Sequence, residues 1–223
     1  IVSLILFEYP DKSLTIEHLK KLIFLIVKEA KNSKKYHFHY SLDRNFYSLI
    51  SGETNSLLDS ILALAHNENA INIYHDIITI NKEQLHKRYN FHDIRQKNLM
   101  MVLRNEVLLL PLFIEIVQNY CAKQYVEVRE LLFEYLYTKA LNEFEEDHKT
   151  FYHEVLSKDK EIGRPYFLDA DSREVGIVLV HGYKASPAEL HPLATALYNE
   201  NVGVFALRLR GHGTAPENLK ELT

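Results

Sequence analysis

The chain has 223 residues, 47% of them apolar, the composition of an ordinary globular protein with enough material for one large or two modest domains. Lys plus Arg total 26 against 30 Asp plus Glu, for a formal charge of −4, so no global cationic field directs it to nucleic acid. The single cysteine, Cys121, excludes an internal disulfide and, lying in an apolar helical pattern, reads as a small buried hydrophobe in a reducing, cytoplasmic setting.

In chain order, "IVSLILF" opens with Ile in mid-pattern, so the chain reads as a piece of something longer. This run is too short to span a bilayer and lacks a basic leader and cleavage site. "KSLTIEHLKKLIFLIVKEAKN" carries Leu19, Leu22, Ile23, Ile26 and Val27 at helical spacing, with Thr15 or Ser13 as its cap. "NSKKYHFHYSLDRNF" is a polar loop. Its His37, His39 and Asp43 lack a nearby fourth ligand, which speaks against zinc. "TNSLLDSILALAHNENAI" is a second helix, capped by Asn55 or Ser56. "INIYHDIITINK" alternates about His75-Asp76 as a two-stranded hairpin does.

Two further stretches, "HDIRQKNLMMVLRNEVLLLPLFIEIVQNYC" and "VEVRELLFEYLYTKALNEFEEDHKTFYHEVLSK", read as long helices with wide apolar stripes. Arg104, Glu106, Pro111 and Glu115 make the first a buried helix rather than a membrane span. The acidic "FEEDHKTFYHE" reads as a solvated face. The expected fold is therefore a mostly helical region over residues 1–160, with a winged-helix-like unit as one option for residues 13–82. "LLDSILALAHNENAI" has no Lys or Arg, which argues against a DNA-reading helix and for a packing or docking module. "KEAKNSKK" reads as a solvated helix end, with acidic lipid head groups as the other option.

Near residue 160 the texture changes: six of the seven glycines fall from Gly163 onward. "KEIGRPYFLDADSRE" reads as a linker or edge hairpin. A strand at 176–180, a helix at about 186–199 and a second strand at 202–207 make one crossover of a parallel sheet. "RLRGHGTAPENL" is the loop that follows.

"IVLVHGYKASP" and "VFALRLRGHGTAPENL" together resemble the start of an α/β-hydrolase domain, closest to bacterial carboxylesterases and monoacylglycerol-lipase-like enzymes. The resemblance covers residues 163–223, within a domain expected over 161–223, and implies a serine hydrolase acting on an acyl-ester lipid or a small ester, of the acylglycerol or lysophospholipid class. It implies that the Tyr183 N–H holds the oxyanion, that Gly182 permits the tight turn aiming it, and that His181 steadies the loop. Arg210, Gly211, His212 and Gly213 would form a loop beside the substrate, with the glycines bending it and Arg210 and His212 bracing it. No metal or organic cofactor is implied. The family's nucleophile sits in a later Gly-x-Ser-x-Gly elbow, which does not occur in the 223 residues, so this chain by itself is expected to be inactive.

Residues 1–120 resemble the region that follows the catalytic domain in bacterial glycerol-3-phosphate acyltransferases. Arg104-Asn105 before "EVLLL" matches part of a family signature, although the family's Leu-His is Leu-Leu here. That likeness adds an inner-membrane surface as a possible partner. The family's His-x-x-x-x-Asp pair is missing, since His39 and Asp43 are four residues apart. The expectation is thus a lipid-metabolic hydrolase joined to an acyltransferase-like region. The alternative is a non-catalytic helical module fused to a hydrolase.

Overall fold

The opening apolar run becomes helix α1, Val2–Glu8, because every residue from Val2 to Phe7 is buried. No face is left for water, so the helix is core rather than surface. A computed structural model describes residues 1–39, 46–170 and 175–220. Asp43 of the polar loop lies outside them, and no group of three or more metal-capable side chains occurs among the described residues. The chain divides into two compact units, Ile1–Leu132 and Phe133–Thr223. The composition change near residue 160 falls inside the second.

In the first unit, strand β1 (Ser13–Thr15) leads into helix α2 (Ile16–Asn32). The Thr15 hydroxyl accepts the His18 N–H at 3.0 Å, so Thr15 and not Ser13 is the cap. Lys28 and Lys31 hold their ammonium groups 5.1 and 5.3 Å from the Phe46 ring, a packed cationic end. Helix α3 (Ser56–Asn67) precedes the hairpin of β2 (Ile71–Tyr74) and β3 (Ile77–Ile80), which turns at His75 with φ +50°. Strand β1 pairs antiparallel with the other side of β3. The Lys82 ammonium, after β3, donates to the carbonyls of Leu6, Phe7 and Tyr9 at 2.7–3.0 Å. It thereby closes the open end of α1.

The stretch expected as one helix from residue 92 to 121 is three: α5 (Ile94–Lys97), α6 (Leu99–Val107) and α7 (Pro111–Cys121), after the short α4 (Lys82–His86). Asn98 makes the first break. Its carbonyl oxygen caps Met101 while its amide donates to carbonyls of Gln84, Leu85 and Lys87. Glu68 accepts the Leu99 N–H there as well. Pro111 makes the second break, sitting at the first position of α7, where its missing N–H costs nothing. No helix among the described residues is long and apolar enough to cross a membrane.

The unit boundary falls inside helix α8, Tyr125–Phe151. From Phe133 on, α8 packs aromatic rings on a three-stranded sheet: Phe133 lies 4.6 Å from Phe167, and Tyr137 lies 6.0 Å from Phe205. The sheet is ordered β4 (Tyr166–Leu168), β6 (Gly203–Leu207), β5 (Gly176–Val180). Strands β5 and β6 are parallel, register Gly176↔Gly203 to Val180↔Leu207, whereas β4 runs antiparallel to β6. The stretch "KEIGRPYFLDADSRE" thus supplies an edge strand after the short helix α9 (Lys160–Gly163), with residues 171–174 outside the described set. The crossover from β5 to β6 is a 3-10 turn, Pro187–Leu190, followed by helix α10 (His191–Asn199). Among the described residues strand β5 pairs on one side only, and its Val178 and Val180 are more than half exposed.

Candidate functional site

His181, the residue after strand β5, is buried. The Leu209 N–H donates to His181 Nε2 at 3.1 Å, so that nitrogen carries a lone pair. The proton is then on Nδ1, 3.0 Å from the Gly182 carbonyl, which can only accept. One neutral tautomer therefore ties the end of β5 to the loop after β6.

The following turn closes with the Ala185 N–H donating to the Gly182 carbonyl at 3.1 Å. Its left-handed residue is Lys184, φ +60°, the third position of a type II-like turn. Here the structure corrects the reading of Gly182: it lies outside the left-handed region, and a Cβ there would meet nothing within 4 Å. Tyr183 takes the second position, with its ring 76% exposed. No hydrogen bond among the described residues uses the Tyr183 N–H.

The loop after β6 bends at Gly211 and Gly213, φ +80° and +70°. Gly213 also lies against Gly163 so closely that a Cβ on Gly163 would stand 2.1 Å from the Gly213 carbonyl oxygen. The guanidinium that braces the loop is that of Arg208, not Arg210. Arg208 donates to the His212 carbonyl at 2.6 Å, to Asp147 of α8 at 2.8 Å and to the Asn218 side chain at 2.9 Å. It lies 5.3 Å from the Phe144 ring centre. Planar donors matched to three acceptors over a ring are what arginine supplies and lysine cannot. Arg210 is exposed, and among the described residues only its backbone carbonyl is engaged, 3.2 Å from His212 Nδ1. The His212 ring stands 5.1 Å from that of His181 and 6.4 Å from that of Tyr183.

The loops after β5 and β6 thus meet at the carboxyl ends of two adjacent parallel strands, where open α/β sheets hold ligands. Sequence reasoning missed Arg208, Asp147 and Gly163. Asp147 gives no local signal, since its partner lies 61 residues along the chain.

The chain is similar to a known lipase. Over 54 residues it is 39% identical to a thermostable monoacylglycerol lipase from Bacillus sp. (strain H-257). The match covers 24% of this chain and 22% of the lipase, so the chain spans under a quarter of that relative's length. No family model matches the chain, and no solved structure does. These comparisons give nothing for the acyltransferase resemblance of residues 1–120.

Proposed function

We propose that the second unit contains the opening part of an α/β-hydrolase domain for carboxylic esters of the acylglycerol or lysophospholipid class. The observation that carries this reading is the Tyr183 N–H. It lies just past a parallel strand, in a turn closed by the Ala185 N–H on the Gly182 carbonyl, and has no hydrogen-bond partner among the described residues. Acyl transfer puts negative charge on the carbonyl oxygen, and a backbone donor fixed before reaction stabilises that charge without reorganising. The partial similarity to a monoacylglycerol lipase supports the substrate class.

In this reading a serine outside the 223 residues attacks the ester carbonyl. A histidine, also outside them, takes its proton and passes it to the leaving alcohol, while the Tyr183 amide holds the oxyanion. The test is Tyr183→Pro in a polypeptide that carries the complete hydrolase domain. Proline suits the second turn position and deletes the N–H together with the ring, so Tyr183→Ala, which removes the ring and keeps the N–H, is the control and should stay active. The expected result for Tyr183→Pro is a roughly 10²- to 10³-fold lower kcat on a p-nitrophenyl ester, with unchanged thermal stability. Full activity in that variant refutes the assignment. The 223-residue chain alone is expected to hydrolyse the ester no faster than buffer.

A further inference from the structure

The turn between α6 and α7, in the first unit, carries leucines that the fold does not bury. Leu108, Leu110 and Leu112 are exposed, and Leu109 at the tip is 85% exposed. One exposed leucine is ordinary, but four within five residues make a continuous apolar patch. Much of the backbone at this tip is already satisfied. The N–H groups of Leu108, Leu110 and Phe113 donate to the carbonyls of Asn105, Val107 and Leu110 at 2.9–3.2 Å, and Pro111 has no N–H. Those groups lose no partner on leaving water, a condition that hydrocarbon imposes on any backbone entering it.

The patch has a cationic flank supplied by a distant part of the chain. The Tyr36 ring packs edge-on against Phe113 of α7, with centres 5.6 Å apart. This contact sets Lys34 and Lys35 beside the leucines. Both lysines are exposed, and no carboxylate or ring among the described residues engages either ammonium group. Lys28 and Lys31, the earlier cations of the same stretch, lie against Phe46 instead. Glu106 and Glu115 are exposed within about one helical turn of the tip, on α6 and α7. The tip can therefore sink by roughly 5 Å before a carboxylate meets hydrocarbon.

We infer that the α6–α7 turn is an anchor for an anionic bilayer surface. Leu108, Leu109, Leu110 and Leu112 enter the boundary between head groups and acyl chains, while Lys34 and Lys35 pair with the phosphates above it. A protruding apolar tip needs no complementary cleft in lipid, and the adjacent ammonium groups match a negative surface. The inference stands on the first unit alone and does not depend on the hydrolase reading.

The test uses the 223-residue chain with vesicles of phosphatidylcholine, alone or mixed equally with phosphatidylglycerol. In co-sedimentation at low salt the wild-type chain should bind the mixed vesicles roughly tenfold or more tightly than the neutral ones, and lose that excess at about 0.5 M salt. Leu109→Glu, at a fully solvated position, should weaken binding by about tenfold or more. Lys34→Ala together with Lys35→Ala should weaken it roughly 10- to 30-fold at low salt. Phe91→Ser, which removes an exposed ring from the loop before α5, should leave it unchanged. The chain has no tryptophan, so Leu109→Trp gives a single reporter at the tip. Its emission should shift to the blue on mixed vesicles and be quenched by brominated acyl chains.

Emission that shifts to the blue with protein concentration alone makes the tip a contact between copies and overturns the inference. So does emission that no vesicle moves. Binding lost in Phe91→Ser and kept in Leu109→Glu puts the lipid surface elsewhere and overturns it as well. Equal binding to both kinds of vesicle overturns the role of the lysines. Should a variant fail to fold, the wild-type co-sedimentation decides alone, and no excess on the mixed vesicles overturns the inference.

Discussion

Two glycines in the second unit hold their backbones closer than any side chain allows, and substituting them separately measures that contact. A Cβ added at Gly163 would stand 2.1 Å from the Gly213 carbonyl oxygen, and one added at Gly213 would stand 2.4 Å from Gly163 Cα. Both neighbours are backbone and cannot rotate away. Gly163→Ala must therefore part α9 from the loop after β6, an overpacking cost of about 1–3 kcal/mol. Gly213→Ala meets the same obstruction and also places a side chain at φ +70°, which adds about 1–2 kcal/mol. Its total is about 2–5 kcal/mol, a large share of the roughly 5–15 kcal/mol that holds a domain. Gly182→Ala is the control, with open space and no left-handed backbone, and should change stability by less than about 0.5 kcal/mol. Urea titrations followed by circular dichroism give the ranking, and amide exchange at Val204 and Ala206 localises it to the second unit. If Gly163→Ala unfolds at the same urea concentration as Gly182→Ala, the close approach does not exist and the brace on the loop is wrongly drawn.

Arg208→Met should cost about 3 kcal/mol in the same titration, because it strands Asp147 and the His212 carbonyl in a largely buried place. Arg208→Lys should recover little of this. Cys121 is buried, and burial, helped by the Glu8 carboxylate against the pull of Lys82, pushes its thiol up to about 12. Ellman's reagent at pH 8 should leave the native thiol untouched and react at once in denaturant. His18 is held below its ordinary value of 6.5, chiefly by burial and then by Lys21. The unfolded chain therefore takes up the proton first, and stability should fall as pH drops below about 6.5, levelling once the folded ring is protonated. His18→Phe, which keeps the ring contacts with Tyr9 and Tyr125, should flatten that part of the urea-midpoint-against-pH curve. An equally steep curve in the variant would place the effect elsewhere.

What the residues disclosed depended on how local the determining physics is. The Thr15 cap, the hairpin at His75-Asp76 and the parallel pair either side of α10 are all written within a few residues of where they act. Strands β1 and β4 are three residues each, too short for alternation to register, and exist because a longer strand offers them an edge. The break at Asn98 depends on carbonyls 11 to 14 residues earlier. At the candidate site, the bends at Gly211 and Gly213 were legible from motif. The turn's left-handed residue was expected at the glycine and falls on Lys184. The loop brace was assigned to Arg210, because nothing near Arg208 in sequence announces Asp147.

The unpaired side of β5 has a practical consequence. Val178 and Val180 stand exposed on an uncharged strand whose second edge pairs with no strand among the described residues, and such an edge templates any extended segment that drifts past, its own duplicate included. Concentrated stocks of the 223-residue chain should turn cloudy with time, and a lysine at Val178 should keep them clear.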